Sequence, residues 1–132
     1  MLSKFKRNKH QQHLAQLPKL SQSVDDVEFF YAPAEFREAL LTRIAHATQR
    51  ICIIALYLEQ DDGGKAILQA LYDAKRQRPE LEVKVLVDWH RAQRGRIGAA
   101  ASNTNADWYC RMAHENPGVD VPVYGVPINT RE

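Results

Sequence analysis

The spacing of apolar residues along the chain predicts strands that alternate with helices. The run Ile51–Leu58 is apolar without interruption, which is typical of a strand covered on both faces, as in a parallel sheet. Leu81–Asp88 predicts the next strand, and Val27–Tyr31 predicts a short one rich in aromatic residues. Val119–Val126, interrupted by Pro122, predicts a strand near an edge of the sheet.

Helical periodicity fills the segments between these strands. A helix is predicted from Ala32 to about Arg50, with Pro33 near its first position. A second helix is predicted over Lys65–Arg78, where Pro79 prevents extension, and a third over Ala106–Glu115. The order predicts right-handed βαβ units, so the expected fold class is α/β: a mostly parallel sheet of about four strands with about three helices.

The charge is distributed unevenly and divides the chain into two parts. Residues 1–24 carry five basic side chains and no acid, whereas the rest carries 13 basic and 16 acidic ones. We therefore predict a basic arm over 1–24 and one compact domain over 25–132. The arm favours a polyanionic partner, either anionic lipid or nucleic acid, with a disordered leader as the alternative.

Other bulk properties limit the location and the redox chemistry. No apolar run approaches the ~20 residues of a membrane-spanning helix, and no apolar segment of a secretory signal follows the first lysines. We expect a cytosolic protein, or one bound to a membrane from the cytosolic side. Cys52 and Cys110 are too few for a disulfide scaffold, so we expect both to be buried, inert thiols.

Candidate binding residues follow the predicted central strands, because ligands of parallel sheets bind at the carboxyl ends of strands. The first group is Asp61, Asp62, Gly63 and Gly64. Its carboxylates could bind a ligand or a divalent cation, or they could cap the helix that follows. Its glycines would allow a phosphate to approach the backbone closely.

The second group lies in the long polar segment Trp89–Asn105. His90, Arg91, Arg94 and Arg96 stand within seven residues, and arginine forks pair well with phosphate oxygens. The alternative is a solvated basic loop without a specific ligand. No set of catalytic or metal-binding residues emerges, so the residues by themselves indicate an α/β domain with an anion-binding loop.

Longer blocks carry a resemblance to a known family. Leu56–Lys65 and Val85–Met112 are similar to the bacterial phosphatidylserine synthases of the phospholipase D superfamily, and Lys75–Glu80 and Pro117–Glu132 continue the similarity. The resemblance implies transfer of a phosphatidyl group from CDP-diacylglycerol to L-serine, with release of CMP. It implies two H-x-K-x4-D motifs, one in each half of a duplicated α/β fold, and neither metal nor organic cofactor. One histidine would attack the phosphorus and the other would protonate the leaving group.

The chain departs from this pattern because none of its histidines stands in an H-x-K motif. The resemblance therefore implies the N-terminal part of the first α/β half, ending before the first motif. We assign no catalytic residue and expect the chain alone to be inactive. Its partner would be the missing C-terminal part of the same protein, and without it the sheet edge at Val119–Val126 would favour self-association.

The resemblance also suggests roles for the candidate residues. Arg91, Arg94, Arg96 and His90 would meet the diphosphate or a lipid headgroup. The acidic–glycine turn, residues 59–64, would meet it as well through Asp61, Asp62, Gly63 and Gly64. The arm would dock the protein peripherally on the cytoplasmic face of the inner membrane. The docking residues would be Lys4, Lys6, Arg7 and Lys9. The alternatives are a module that binds nucleic acid or acidic lipid, and another superfamily member such as a cardiolipin synthase or a nuclease.

Overall fold

The computed structural model describes residues 2–95 and 103–128, and the side chains from residue 8 onward within these ranges. The chain forms two compact units, Met1–Phe30 and Tyr31–Glu132. No helix in the described part is long and apolar enough to cross a bilayer. Arg96 and the docking side chains of Lys4, Lys6 and Arg7 lie outside the described part.

The first unit consists of one long helix and one short turn. Helix α1 spans Leu2–Gln16 and ends just before Pro18, because proline disfavours helical backbone in the residue before it. A 3₁₀ turn follows over Val24–Asp26, where the hydroxyl of Ser23 accepts the N–H of Asp25 at 3.3 Å. The side chains from Asn8 to the turn are exposed, Lys9 among them. The basic arm is therefore largely helical.

The predicted strand over Val27–Tyr31 is wrong. This segment pairs with no strand of the described sheet, and Phe29 and Tyr31 are 73% and 95% exposed. Aromatic residues favour strands because they pack against cross-strand neighbours, so their preference has no effect where no neighbouring strand lies alongside.

The second unit alternates helices and strands as predicted, and the α/β fold class is confirmed. Its elements are α2 (Pro33–His46), β1 (Arg50–Ala55), α3 (Asp62–Gln77), β2 (Glu82–Asp88), α4 (Trp89–Ala92), α5 (Asn105–Glu115) and β3 (Val123–Val126). The described sheet has three strands where about four were expected. Helices α1 and α4 were not predicted, and α4 is a single turn within the segment expected to be a loop.

The sheet is parallel throughout, with β2 between β1 and β3. Ala55 pairs with Val87 at one end of β1, and Asp88 pairs with Val126 at the corresponding end of β3. The carboxyl ends of the three strands therefore lie side by side along one end of the sheet, which we call the carboxyl edge. Strand β3 begins just after Pro122, whose carbonyl accepts the N–H of Val85 at 3.1 Å, and it lies at a sheet edge of the described residues, as predicted.

The core lies on the face of the sheet that α3 covers. Residues 51, 83, 85 and 87 of β1 and β2 point into it, and Leu68, Leu71 and Tyr72 of α3 are almost completely inaccessible to solvent. Helix α2 packs on α3 and buries Ile44. The apolar residues at helical spacing in α3 are thus buried in the core, as predicted.

The expectation that β1 is covered on both faces is wrong. Ile54 is 83% exposed and Cys52 is exposed, while Ile51 on the opposite face is buried. By register, Ile54, Leu86 and Tyr124 form a row across this open face of the sheet, which no described element covers. Cys110 on α5 is exposed as well, so both cysteines differ from the buried thiols expected.

The contrast between the two faces leads to a stability prediction. Ile44→Ala removes a side chain that is 2% exposed and should lower the free energy of unfolding by about 2–5 kcal/mol, because a cavity remains. Ile54→Ala, at an 83% exposed position, is the matched control and should cost less than about 1 kcal/mol. Urea unfolding of the second unit, followed by circular dichroism, measures both. Equal losses would contradict the assignment of the core to one face.

Candidate functional site

The acidic–glycine turn connects β1 to α3 at the carboxyl edge of the sheet. Asp61 is the N-cap of α3, where its carboxylate accepts the N–H of Gly64 at 2.8 Å. Asp62 is the first residue of the helix and is exposed. The capping interpretation of the acids therefore holds for Asp61, whereas the carboxylate of Asp62 is oriented toward solvent at the start of the helix.

The two glycines of this turn have different surroundings. Gly64 is buried against the turn, and a Cβ atom there would lie 1.9 Å from the carbonyl oxygen of Glu59. At Gly63 the nearest atom, Oδ1 of Asp61, would be 3.5 Å away, an ordinary van der Waals distance. Gly64 is thus required for the close packing of the turn on α3, and Gly63 leaves space next to the backbone. One carboxylate oxygen of Glu59 is buried without a hydrogen-bond partner among the described residues.

The arginine segment begins where β2 ends, and the structure describes its residues 89–95. Asp88 is 7% exposed and caps the short helix α4, its carboxylate accepting the N–H of Arg91 at 2.7 Å. Its own N–H donates to the carbonyl oxygen of Leu56 at 3.1 Å, so the ladder between the strands continues one step beyond β1. Asp88 is therefore structural, and it fixes the point from which the arginines leave the sheet.

The basic side chains of the arginine segment are exposed within the described residues. His90, Arg91 and Arg94 all present their side chains to solvent, and Arg96 lies outside the described residues. The guanidinium carbon of Arg91 lies 5.7 Å from the centroid of the Tyr57 ring, which is a cation–π arrangement. Tyr57 follows β1, so this contact brings the arginine segment and the turn after β1 together.

Trp89 covers the end of β3. A Cβ atom on Gly125 would lie 2.6 Å from the indole ring, so only glycine allows this approach. Helix α4 is thereby held against both β2 and β3. This contact orients the start of the arginine segment from its other side.

Two buried residues of α5 also form hydrogen bonds with the turn after β1, and neither was predicted. The side-chain oxygen of Asn105 accepts the N–H of Gln60 at 3.3 Å. The hydroxyl of Tyr109 accepts the N–H of Leu58 at 2.9 Å and donates to the carbonyl of the same residue at 2.6 Å. Burial raises the pKa of Tyr109 to about 12, so the hydroxyl keeps its proton at neutral pH. The partners of the two residues lie 45 and 51 positions away in the chain, so no local pattern could identify either of them from the sequence.

A groove of about 530 Å³ adjoins Gln60 between α3 and α5. The buried ring of Trp108 contributes to its lining, and Lys65 and Arg111 stand at its margin with one acid, Glu115. Positive charge at this side of the molecule is therefore not limited to the arginine segment. Within the described residues, no group of three or more histidine, cysteine or carboxylate side chains is arranged to hold a metal ion.

The resemblance to bacterial phosphatidylserine synthases is confirmed by comparison with known proteins. The chain is 89% identical, over all its 132 residues, to the CDP-diacylglycerol–serine O-phosphatidyltransferase PssA of Escherichia coli (strain K12). The crystal structure of the phosphatidylserine synthase of Haemophilus influenzae Rd KW20 matches 94% of this chain with a TM-score of 0.81 and 43% identity. A CDP-diacylglycerol–glycerol-3-phosphate 3-phosphatidyltransferase of Schizosaccharomyces pombe (strain 972) is 29% identical over 86 residues, 65% of this chain and 17% of that protein.

The matches cover only part of these proteins. The chain spans 29% of the length of the Escherichia coli protein and 28% of the Haemophilus influenzae structure. No protein-family profile matches the chain.

The glycines of the turn provide a matched pair of variants. Gly64→Ala should lower the free energy of unfolding by about 1–3 kcal/mol, because the new methyl group collides with the backbone of Glu59. Gly63→Ala should be neutral or stabilise the protein by up to about 1 kcal/mol, because alanine favours the helix and has space. Thermal unfolding of the two variants distinguishes the signs. A stable Gly64→Ala variant would disprove the close packing of the turn.

Proposed function

We propose that this chain, which matches a phosphatidylserine synthase over its whole length, is part of a phosphatidyltransferase that makes phosphatidylserine from CDP-diacylglycerol and L-serine. The observation that carries the proposal is the 89% identity to the Escherichia coli protein. Release of CMP would accompany the transfer.

The catalytic step would depend on polypeptide that this chain does not contain. The relatives are more than three times as long as the match, and the chain has no H-x-K motif. Its partner in the active protein would be the C-terminal part of the same polypeptide. The chain would supply part of the substrate site and no reacting group, and by itself it would be inactive. In the absence of that partner, the edge that β3 forms in the described sheet would favour pairing with a second copy.

The arginine segment would bind the diphosphate of CDP-diacylglycerol. Arg91 and Arg94 are exposed at the carboxyl edge, where parallel sheets bind ligands, and Arg96 follows them in sequence. The Schizosaccharomyces pombe relative is named for the same phosphatidyl donor but for a different acceptor, glycerol 3-phosphate. His90 would contribute a further donor to the phosphate oxygens.

The acidic–glycine turn would contact the same substrate from the other side. Gly63 leaves its backbone accessible, and Asp62 presents a free carboxylate next to it. A carboxylate repels a diphosphate, so Asp62 is better suited to hydroxyl or amino groups of the substrate. Asp61 and Gly64 would act indirectly by holding the turn in place.

The basic arm would hold the protein at the cytoplasmic face of the inner membrane. Lys4, Lys6, Arg7 and Lys9 stand within six residues on α1, with no acid nearby in sequence. Each basic side chain near an anionic surface contributes about 1 kcal/mol. The lipid substrate would then be reached by lateral diffusion in the membrane.

The transfer reaction is tested in a chimera in which this chain replaces the corresponding segment of the Escherichia coli protein. We expect the chimera to release CMP from CDP-diacylglycerol only when serine is present, and to form phosphatidylserine. The chain alone should release none. A folded chimera that makes no phosphatidylserine would refute the proposed function.

Arginine variants of the chimera test the substrate site. Arg91→Ala and Arg94→Ala should each raise KM for CDP-diacylglycerol about tenfold or more, because a charge-assisted hydrogen bond to phosphate is lost. Arg94→Lys should be intermediate, since lysine keeps the charge without the fork. Arg37→Ala, an exposed arginine of α2, is the control and should leave KM unchanged. Unchanged KM in both alanine variants would show that these arginines do not meet the donor.

Membrane docking is tested with the chain and vesicles of phosphatidylglycerol and phosphatidylcholine. Replacing Lys4, Lys6, Arg7 and Lys9 by glutamine should weaken binding at least about a hundredfold, since each basic residue contributes about 1 kcal/mol. Binding should also fall steeply with salt, because exposed charges are screened. Sedimentation measures both, with Arg37→Gln and vesicles of phosphatidylcholine alone as controls. Equal binding of the quadruple variant would exclude the arm as the docking element.

A further inference from the structure

One buried amide joins the two segments of the candidate site. Asn105, the first residue of α5, is 2% exposed. Its side-chain oxygen accepts the N–H of Gln60, in the acidic–glycine turn, at 3.3 Å. Its backbone N–H donates to the carbonyl of Arg94, in the arginine segment, at 3.1 Å. A single residue thus holds one backbone group of each segment.

The residue before Asn105 anchors the start of α5 to the arginine segment. Thr104 caps α5, its hydroxyl accepting the N–H of Asp107 at 3.0 Å while the carboxylate of Asp107 accepts the N–H of Thr104 at 3.3 Å. Thr104 also forms an antiparallel bridge with Gly95. The start of α5 is therefore attached to the residue that follows Arg94.

A second attachment lies one turn further along α5. The hydroxyl of Tyr109 makes two hydrogen bonds to the backbone of Leu58, at 2.9 and 2.6 Å, and the ring is buried. Leu58 is buried as well and stands two residues before Gln60. The turn after β1 is thus held at two points by one helix, so a displacement of α5 would move the turn with it.

We propose that Asn105 is a positioning residue that sets the distance between the acidic–glycine turn and the arginine segment, so that both contact one phosphate-bearing substrate. This inference rests on the proposed function for the identity of that substrate. Asn105 does not reach the substrate itself, because its side chain is buried and its oxygen is engaged by Gln60. An apolar side chain of similar size would fill the same space and leave the N–H of Gln60 without its partner.

The test in the chimera separates positioning from general stability. Asn105→Leu should raise KM for CDP-diacylglycerol about tenfold and change kcat less than about twofold, because one hydrogen bond that orients the turn is lost. Asn105→Asp keeps an acceptor of the same shape, so its KM for CDP-diacylglycerol should stay close to that of the unsubstituted chimera. Cys110→Ala, at an exposed position of the same helix, is the matched control.

A double variant gives the decisive comparison. If Asn105 acts by holding the turn at the right distance from Arg94, Asn105→Leu should add little to KM in a protein that already carries Arg94→Ala. Tyr109→Phe, which removes only a hydroxyl, serves where Asn105→Leu folds poorly and should raise KM in the same direction. Full additivity with Arg94→Ala, or a loss of kcat at unchanged KM, would overturn the proposal.

Hydrogen exchange in the 132-residue chain tests the link without any activity. Asn105→Leu should speed exchange of the Gln60 amide about tenfold or more relative to the Cys110→Ala control. An unchanged rate at Gln60 would overturn the proposed link. If the unsubstituted chimera makes no phosphatidylserine while Gln60 exchange still responds, the proposed function fails and the connection between the two segments stands.

Discussion

The parallel pairing of β1 with β2 is the constraint on which the rest of the second unit depends. It places the last residues of both strands at one edge, and the bond from the Asp88 N–H to the Leu56 carbonyl continues the pairing past the end of β1. The segments that leave the sheet there start side by side. Antiparallel pairing would have sent them to opposite edges, and the two candidate segments could then not have lain side by side.

Helix α3 and strand β2 were predicted correctly, because the spacing of their apolar residues is a local signal. Helix α3 was identifiable because Leu68 and Leu71 recur at helical spacing, and β2 because Val83, Val85 and Val87 form a short run rich in β-branched residues. Both signals depend on neighbours within a few residues. The same reasoning failed for the aromatic segment at Phe29, because a strand requires a partner strand that the local sequence does not reveal.

The predictions about the site divide in the same way. Clusters of charged residues, such as the one at Arg91 and Arg94, are visible in the sequence, and the structure places them at the expected edge. The residues that hold this edge together are not visible. Tyr109 and Asn105 contact residues 51 and 45 positions away in the chain, and nothing local distinguishes them from surface residues. The exposed residues of this candidate site thus supply its charge, and hydrogen bonds of buried residues determine its geometry.

The open face of the sheet also has a practical consequence. Cys52 lies on it beside Lys84, its partner in register, and next to the row that contains Ile54. An environment-sensitive fluorophore attached to this thiol would sit between the Lys84–Glu82 ion pair and the apolar row, and it would change its emission when polypeptide covers that face. Cys110 would first be replaced by serine so that a single thiol remains. The chain therefore carries a natural position for an optical probe of assembly.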